Sequence, residues 1–168
     1  MRAATVRQRL DRPIRTNGLM ATLHHSPFCP HSRFIRLALA EFGMEAELVE
    51  ERVWERRREF LELNTAGTTP VFQEQNGLAV PGAGPIAEYL DETRGLALAD
   101  RRLLPEGPGE RVEVRRLLDW FNIKFHEEIT GPLVLEKVMK RFMSRDEGGG
   151  PPETVSYTHL TLPTILLV

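Results

Sequence analysis

The order of residues around Cys29 constrains this chain more than any other feature. A short apolar run, Ala21-Thr22-Leu23, leads toward Ser26-Pro27-Phe28-Cys29-Pro30-His31-Ser32-Arg33, and Phe34-Ile35-Arg36-Leu37-Ala38-Leu39-Ala40 follows it. The pattern predicts a strand, a turn and a helix over 30–42 that opens on Pro30, where a missing N–H is harmless, and carries Phe34, Leu37, Ala38 and Phe42 on its apolar face. Cys29 then stands at the helix start, where unpaired N–H groups and the positive end of the helix dipole favour thiolate over thiol. The same residue would also serve as a small buried apolar filler. It is the only cysteine among 168 residues, which excludes an internal disulfide, a CxxC redox pair and a thiolate zinc cage. A lone thiol suits a reducing compartment, so the expected location is cytoplasmic.

Length allows one or two small domains, and 41% hydrophobic residues suffice for a core. The 22 basic and 24 acidic residues, net charge −2, give no global case for nucleic-acid binding. No apolar run approaches the roughly 18 residues of a membrane span. Residues 1–19 hold Arg2, Arg7, Arg9, Arg12 and Arg15 against the single acid Asp11, and no apolar stretch of the kind a secretory signal needs. Met20 reads as the natural start, with 1–19 as a disordered extension. At the other end, Val155-Ser156-Tyr157-Thr158-His159-Leu160-Thr161-Leu162-Pro163-Thr164 resembles the translation of a transposase adapter used in shotgun sequencing. On that reading 155–168 is an artefactual tail, and the part before it is a truncated helical domain that leaves Leu117, Phe121, Phe125, Leu135 and Phe142 exposed.

Between these ends the pattern predicts strands at Ala21–His25 and 46–49, a helix over 54–63 with Phe60, Leu61 and Leu63 inward, and strands at Val71–Gln73 and 78–80. An Asn76-Gly77 turn joins the last two. A third helix over 85–93 stops at Gly95. The order is β-α-β-α-β-β-α, an α/β arrangement with a mixed four-stranded sheet. Beyond a linker at 96–108 comes a long amphipathic helix at 110–128, which Gly131-Pro132 kinks or breaks, and another at 133–143. His24, His25 and His31 surround the thiol in sequence and read mainly as surface polar residues; so does the run Arg56-Arg57-Arg58. Trp54 and Trp120 read as packing residues, and His126, Glu127 and Glu128 as a wet face.

Cys29-Pro30-His31-Ser32, Thr68-Thr69-Pro70-Val71-Phe72 and Pro85-Ile86-Ala87-Glu88-Tyr89-Leu90-Asp91-Glu92, in this order and spacing, resemble the cysteine-type members of the glutathione S-transferase superfamily. The resemblance implies a thioredoxin-like N-terminal domain over 20–95, and the start of an all-α C-terminal domain over 109–154. It implies glutathione as ligand, transferase-type or thiol chemistry at Cys29 as the catalytic residue, and a cis proline at Pro70. Thr69 would offer its backbone to the cysteinyl part of glutathione, as an added strand does. Gly82 and Ala83 stand where most members place an acid and a serine for the γ-glutamyl end. Each such charged hydrogen bond contributes about 1.5–3 kcal/mol, so glutathione binding is expected to be weak or absent. Full-length relatives are expected to be dimers. No metal site is expected.

Further segments point to a subgroup. Val49-Glu50-Glu51-Arg52-Val53-Trp54-Glu55-Arg56-Arg57, Leu118-Asp119-Trp120-Phe121-Asn122 and Glu136-Lys137-Val138-Met139-Lys140-Arg141-Phe142-Met143 resemble the FzlA-like alphaproteobacterial members. That resemblance implies a second function: a non-catalytic partner of the tubulin-like division GTPase FtsZ that regulates constriction.

Overall fold

The computed structural model describes residues 20–151. The expectations for 1–19 and 155–168 lie outside these residues. Strand β1 (Ala21–His25) leads into helix α1 (Pro30–Glu41), then β2 (Ala46–Glu50), α2 (Arg58–Leu63), β3 (Val71–Gln73), β4 (Ala79–Pro81) and α3 (Ala83–Arg94). The four strands lie in the order β2-β1-β3-β4. The pair β1–β2 is parallel; β1–β3 and β3–β4 are antiparallel. This is the mixed thioredoxin-like sheet that the sequence predicts.

Alternation along the strands divides the two faces. Leu23 and Phe72 are register partners, both fully buried. With Ala21 they join Ile35, Ala38 and Leu39 of α1 and Ala83, Ile86 and Leu90 of α3 in one core. Full burial of a Leu, Ile or Phe side chain contributes about 1.5–3 kcal/mol. The buried stripe of α1 therefore runs through 35, 38 and 39, one helical turn apart. Leu37, expected inside, is 59% exposed because each residue turns the helix by about 100°. On the other face Phe60 of α2 is buried, and the ring of His24 lies 6.0 Å from it.

The predicted continuous helix over 54–63 is corrected. Val53–Glu55 is one tight turn, Arg56 has φ +46°, and α2 starts only at Arg58. Arg57 explains the break: its guanidinium turns back onto the buried carboxylate of Glu51, at 2.6 and 3.2 Å. The last strand begins at Ala79 and not at Leu78, because the Asn76-Gly77 turn reaches that far. Glu74 N–H donates to the Leu78 carbonyl, Leu78 N–H to Asn76 Oδ1, and Gly77 takes φ +87°.

The chain divides after Leu103 into two compact units. In the second, α4 (Pro108–Asp119) continues through wide turns at Trp120–Lys124 and His126–Thr130 into α5 (Gly131–Lys137). Gly131-Pro132 thus does not break the helix. Phe125 N–H donates to the Trp120 carbonyl and Gly131 N–H to the His126 carbonyl, each five residues back. In regular α geometry the Pro132 ring would strike the carbonyl four residues earlier, and the widened turn removes that clash. The predicted helix to 143 ends at Lys137, followed by a tight turn at Met139–Arg141. Leu117, Phe121, Leu135 and Phe142 are exposed. Phe125 is half-buried and stacks on Trp120 at 5.7 Å. Among the described residues no helix is long and apolar enough to cross a membrane.

Candidate functional site at Cys29

Cys29 is the residue before the first turn of α1, with extended backbone, and Pro30 follows at the first helical position. Its N–H donates to the Ser26 carbonyl at 3.1 Å, and its own carbonyl accepts from Arg33 N–H at 3.0 Å. Ser26 N–H donates to the buried hydroxyl of Ser32 at 3.2 Å. These bonds close the loop between β1 and α1 and hold the half-buried thiol in place. The Cys29 thiol donates to the Thr69 carbonyl, Sγ to oxygen 3.8 Å. The Thr69–Pro70 peptide is cis. The buried Pro70 in turn accepts from Gly82 N–H through its carbonyl at 2.9 Å. Cys29, Thr69, Pro70 and Gly82 are therefore linked from one end of the sheet to the start of α3.

Opposing influences set the charge of the thiol. Burial, the largest, favours the neutral form. Hydrogen bonds from the His31 side chain and from the N–H and hydroxyl of Ser32, with the charge of His31, outweigh it. The balance lowers the Cys29 pKa from 9.0 to about 7. The helix start thus acts on this thiol as the sequence pattern implies, and His31 is the imidazole that does so.

The other two histidines correct the sequence reading, which left them on the surface. His25 is only 6% exposed, and its Nδ1 has no hydrogen-bond partner. Burial and then the charge of Arg36 lower its pKa, so it is neutral at pH 7. His24 lies on the opposite face of β1, its Nδ1 3.2 Å from Glu51 Oε1. Glu51, 2% exposed, is thereby held by His24 and Arg57 together. Sequence reasoning missed this cluster; no spacing rule links residues 24, 51 and 57 before the sheet forms.

At the start of α3, Gly82 has φ +90° and Ala83 is buried in the core. Neither offers a side-chain acceptor or donor. Pro85 has no N–H, so the free backbone donors of this helix start are those of Ala83 and Gly84. The residues present fit the cysteinyl part of glutathione and lack side-chain anchors for its charged γ-glutamyl end. A left-handed backbone at position 82 also penalises any side chain placed there. Ala83→Ser alone is therefore expected to tighten glutathione binding by about tenfold in calorimetry, one added hydrogen bond to a charged group. Gly82→Glu is expected to lower the thermal midpoint. Unchanged affinity in Ala83→Ser would place the γ-glutamyl site elsewhere.

Residues 23–98 match the family model "Glutathione S-transferase, N-terminal domain". The chain is 41% identical over 125 residues to "FtsZ-localized protein A" of Caulobacter vibrioides, covering 73% of this chain and 53% of that protein. A crystal structure of a glutathione S-transferase from Sinorhizobium meliloti superposes with a TM-score of 0.78 and 51% identity, covering 80% of this chain and 58% of that one. The structure of FzlA from C. crescentus gives a TM-score of 0.69 and 39% identity, covering 80% and 57%. A Methylobacterium radiotolerans glutathione S-transferase in complex with glutathione sulfonate gives 0.56 and 25% identity, covering 75% and 55%. The chain spans little more than half the length of each of these relatives. Through residues 23–98, with their thioredoxin-like sheet and the Cys29–Thr69 pair, the chain belongs to the glutathione S-transferase superfamily.

Proposed function

We propose that this protein is a glutathione S-transferase-fold partner of the cytoplasmic division GTPase FtsZ, and that its glutathione site does not drive conjugation. The observation that carries this reading is the bare γ-glutamyl position at Gly82 and Ala83. It supports loss of the conjugating role in a chain 41% identical to an FtsZ-localized protein. The test is sedimentation with FtsZ polymers assembled in GTP. The protein is expected to pellet with the polymers, and to do so undiminished as Cys29→Ser. Protein left in the supernatant beside pelleted FtsZ would remove this function. Charge reversal at the exposed Arg56 and Arg141 is the first probe of the contact surface.

A second reading, thiol exchange, is favoured by the Cys29 pKa of about 7. In that chemistry the Cys29 thiolate attacks one sulfur of a small disulfide. A mixed disulfide forms and the other sulfur leaves as a thiolate, with no net oxidation. The Thr69 backbone, in the segment that leads into β3, would align an extended thiol peptide against Sγ.

A further inference from the structure

Asn64 is 8% exposed and follows α2, with its N–H donating to the Phe60 carbonyl at 2.9 Å. Past it the chain folds back on this one residue. Its carbonyl accepts from Gly67 N–H at 2.9 Å, and its side-chain Oδ1 accepts from Ala66 N–H at 3.1 Å. Only Oδ1 can meet a backbone N–H, so the direction of the amide is fixed and Nδ2 is left as the donor. Nδ2 donates to the Thr68 carbonyl at 2.8 Å and to Thr68 Oγ1 at 3.2 Å. Gly67 permits the return with φ +67°; a Cβ there would lie 3.1 Å from Leu61 Cδ2. A buried side chain thus holds the loop over 64–68, directly ahead of the residue that meets the Cys29 thiol.

The Thr68 carbonyl belongs to the same peptide group as the Thr69 N–H. That peptide is trans, so its C=O and N–H point in opposite directions. Holding the carbonyl on Asn64 therefore aims the Thr69 N–H away from Asn64. A residue before proline favours extended backbone, in which N–H and C=O share one side. The Thr69 carbonyl faces Cys29 Sγ at 3.8 Å, so its N–H opens toward the thiol as well. Among the described residues no protein group accepts from this N–H. A hydrogen bond on the carbonyl also polarises the peptide and strengthens its N–H as a donor.

We propose that Asn64 is a positioning residue of the thiol site: its amide turns the Thr69 N–H toward a disulfide substrate that presents a peptide carbonyl to accept it. The proposal rests on the thiol-exchange reading, and it narrows the substrate class to disulfides of extended peptides over those of simple thiols.

The test reacts Cys29 of the full 168-residue chain with glutathione disulfide and with bis(2-hydroxyethyl) disulfide, which has no peptide group. Both reagents meet the same thiolate, so the ratio of their rates cancels any change in Cys29 charge. Asn64→Ala is expected to lower the ratio of the peptide to the hydroxyethyl reagent about fivefold, the effect of one hydrogen bond. Asn64→Asp keeps an acceptor for Ala66 N–H but has no donor for the Thr68 carbonyl, so its ratio is expected to fall as far. An unchanged ratio in Asn64→Ala overturns the proposal, since a loosened fold alone slows both reagents together. A parent ratio in Asn64→Asp overturns it too, because the turn at Ala66 would then be the part that matters. Hydrogen exchange needs no variant: the Thr69 amide is expected to slow at least about tenfold once glutathione is coupled to Cys29 as a mixed disulfide. Unchanged exchange there would also overturn the proposal. A parent that reacts with neither disulfide removes the thiol-exchange reading itself, and this proposal with it.

Discussion

Replacing Asp91 by alanine is expected to reduce the unfolding free energy by about 3–5 kcal/mol, the range for breaking a buried ion pair from one side. Asp91 is 1% exposed and sits in α3. Arg102 grips it with two parallel bonds, Nε to Oδ1 at 2.9 Å and Nη2 to Oδ2 at 2.7 Å. The Arg102 side chain is itself only 18% exposed, so little water replaces the lost partner. Gly95 completes the arrangement: a Cβ there would lie 2.7 Å from Asp91 Oδ1 and 2.9 Å from Arg102 Nε. Total stability of a small domain is about 5–15 kcal/mol, so the loss is a large part of it. Urea denaturation with the parent slope retained measures the effect. Asp91→Leu/Arg102→Met, which removes both charges, is expected to lie within about 1 kcal/mol of the parent if shape is preserved. A single variant that matched the parent, or a double variant as weak as the single, would show that the pair's electrostatics do not govern this region.

The rate of Cys29 alkylation is expected to rise with pH through a midpoint at about 7. A free thiol reaches its midpoint near roughly 8.5. At pH 7 about half of Cys29 is then thiolate, against a few per cent of a free cysteine. A less basic thiolate is also a weaker nucleophile, which reduces the gain to roughly threefold in rate. The midpoint is therefore the sharper measurement. His31→Ala is expected to move it upward, because the strongest influence favouring the thiolate is the His31 hydrogen bond. Ser32→Ala should move it the same way, with the added loss of the bond from Ser26 N–H. Cys29→Ser should abolish labelling altogether, as the chain has no other cysteine. A midpoint in the parent protein at the free-thiol value would falsify the activated-thiol assignment.

Much of the first unit is legible in the sequence. Ala21–His25 and Val71–Gln73 are strands with the predicted bounds, because apolar alternation and turn residues act locally. Pro30 marks the start of α1 and the Cys29 position for the same reason. The failures share a different cause. Leu37 is as apolar as Leu39, and only the direction of the sheet decides which of them is covered. The interruption between residues 53 and 58 depends on Arg57 finding Glu51 at the end of β2. His25 looks polar in the sequence, yet it occupies an inward position of β1 and alternation buries it. At the candidate site, Cys29, Thr69 and Pro70 were readable as a motif. The left-handed backbone of Gly82 was not, since a glycine in sequence carries no sign of its φ.

The wide turns between residues 120 and 130 bear on how this helix can change in length. Each such turn holds one residue more than a regular turn. The helix is in effect carrying spare residues, and they absorb a mismatch that a uniform spiral would pass on to every later position. Removing a single residue within 120–130 can convert one wide turn to a regular one and leave the face presented by α5 close to its present bearing. The same deletion inside α4, where the turns are regular, would swing everything after it by about 100°. Length variation among related chains should therefore collect in the wide turns, just ahead of Pro132.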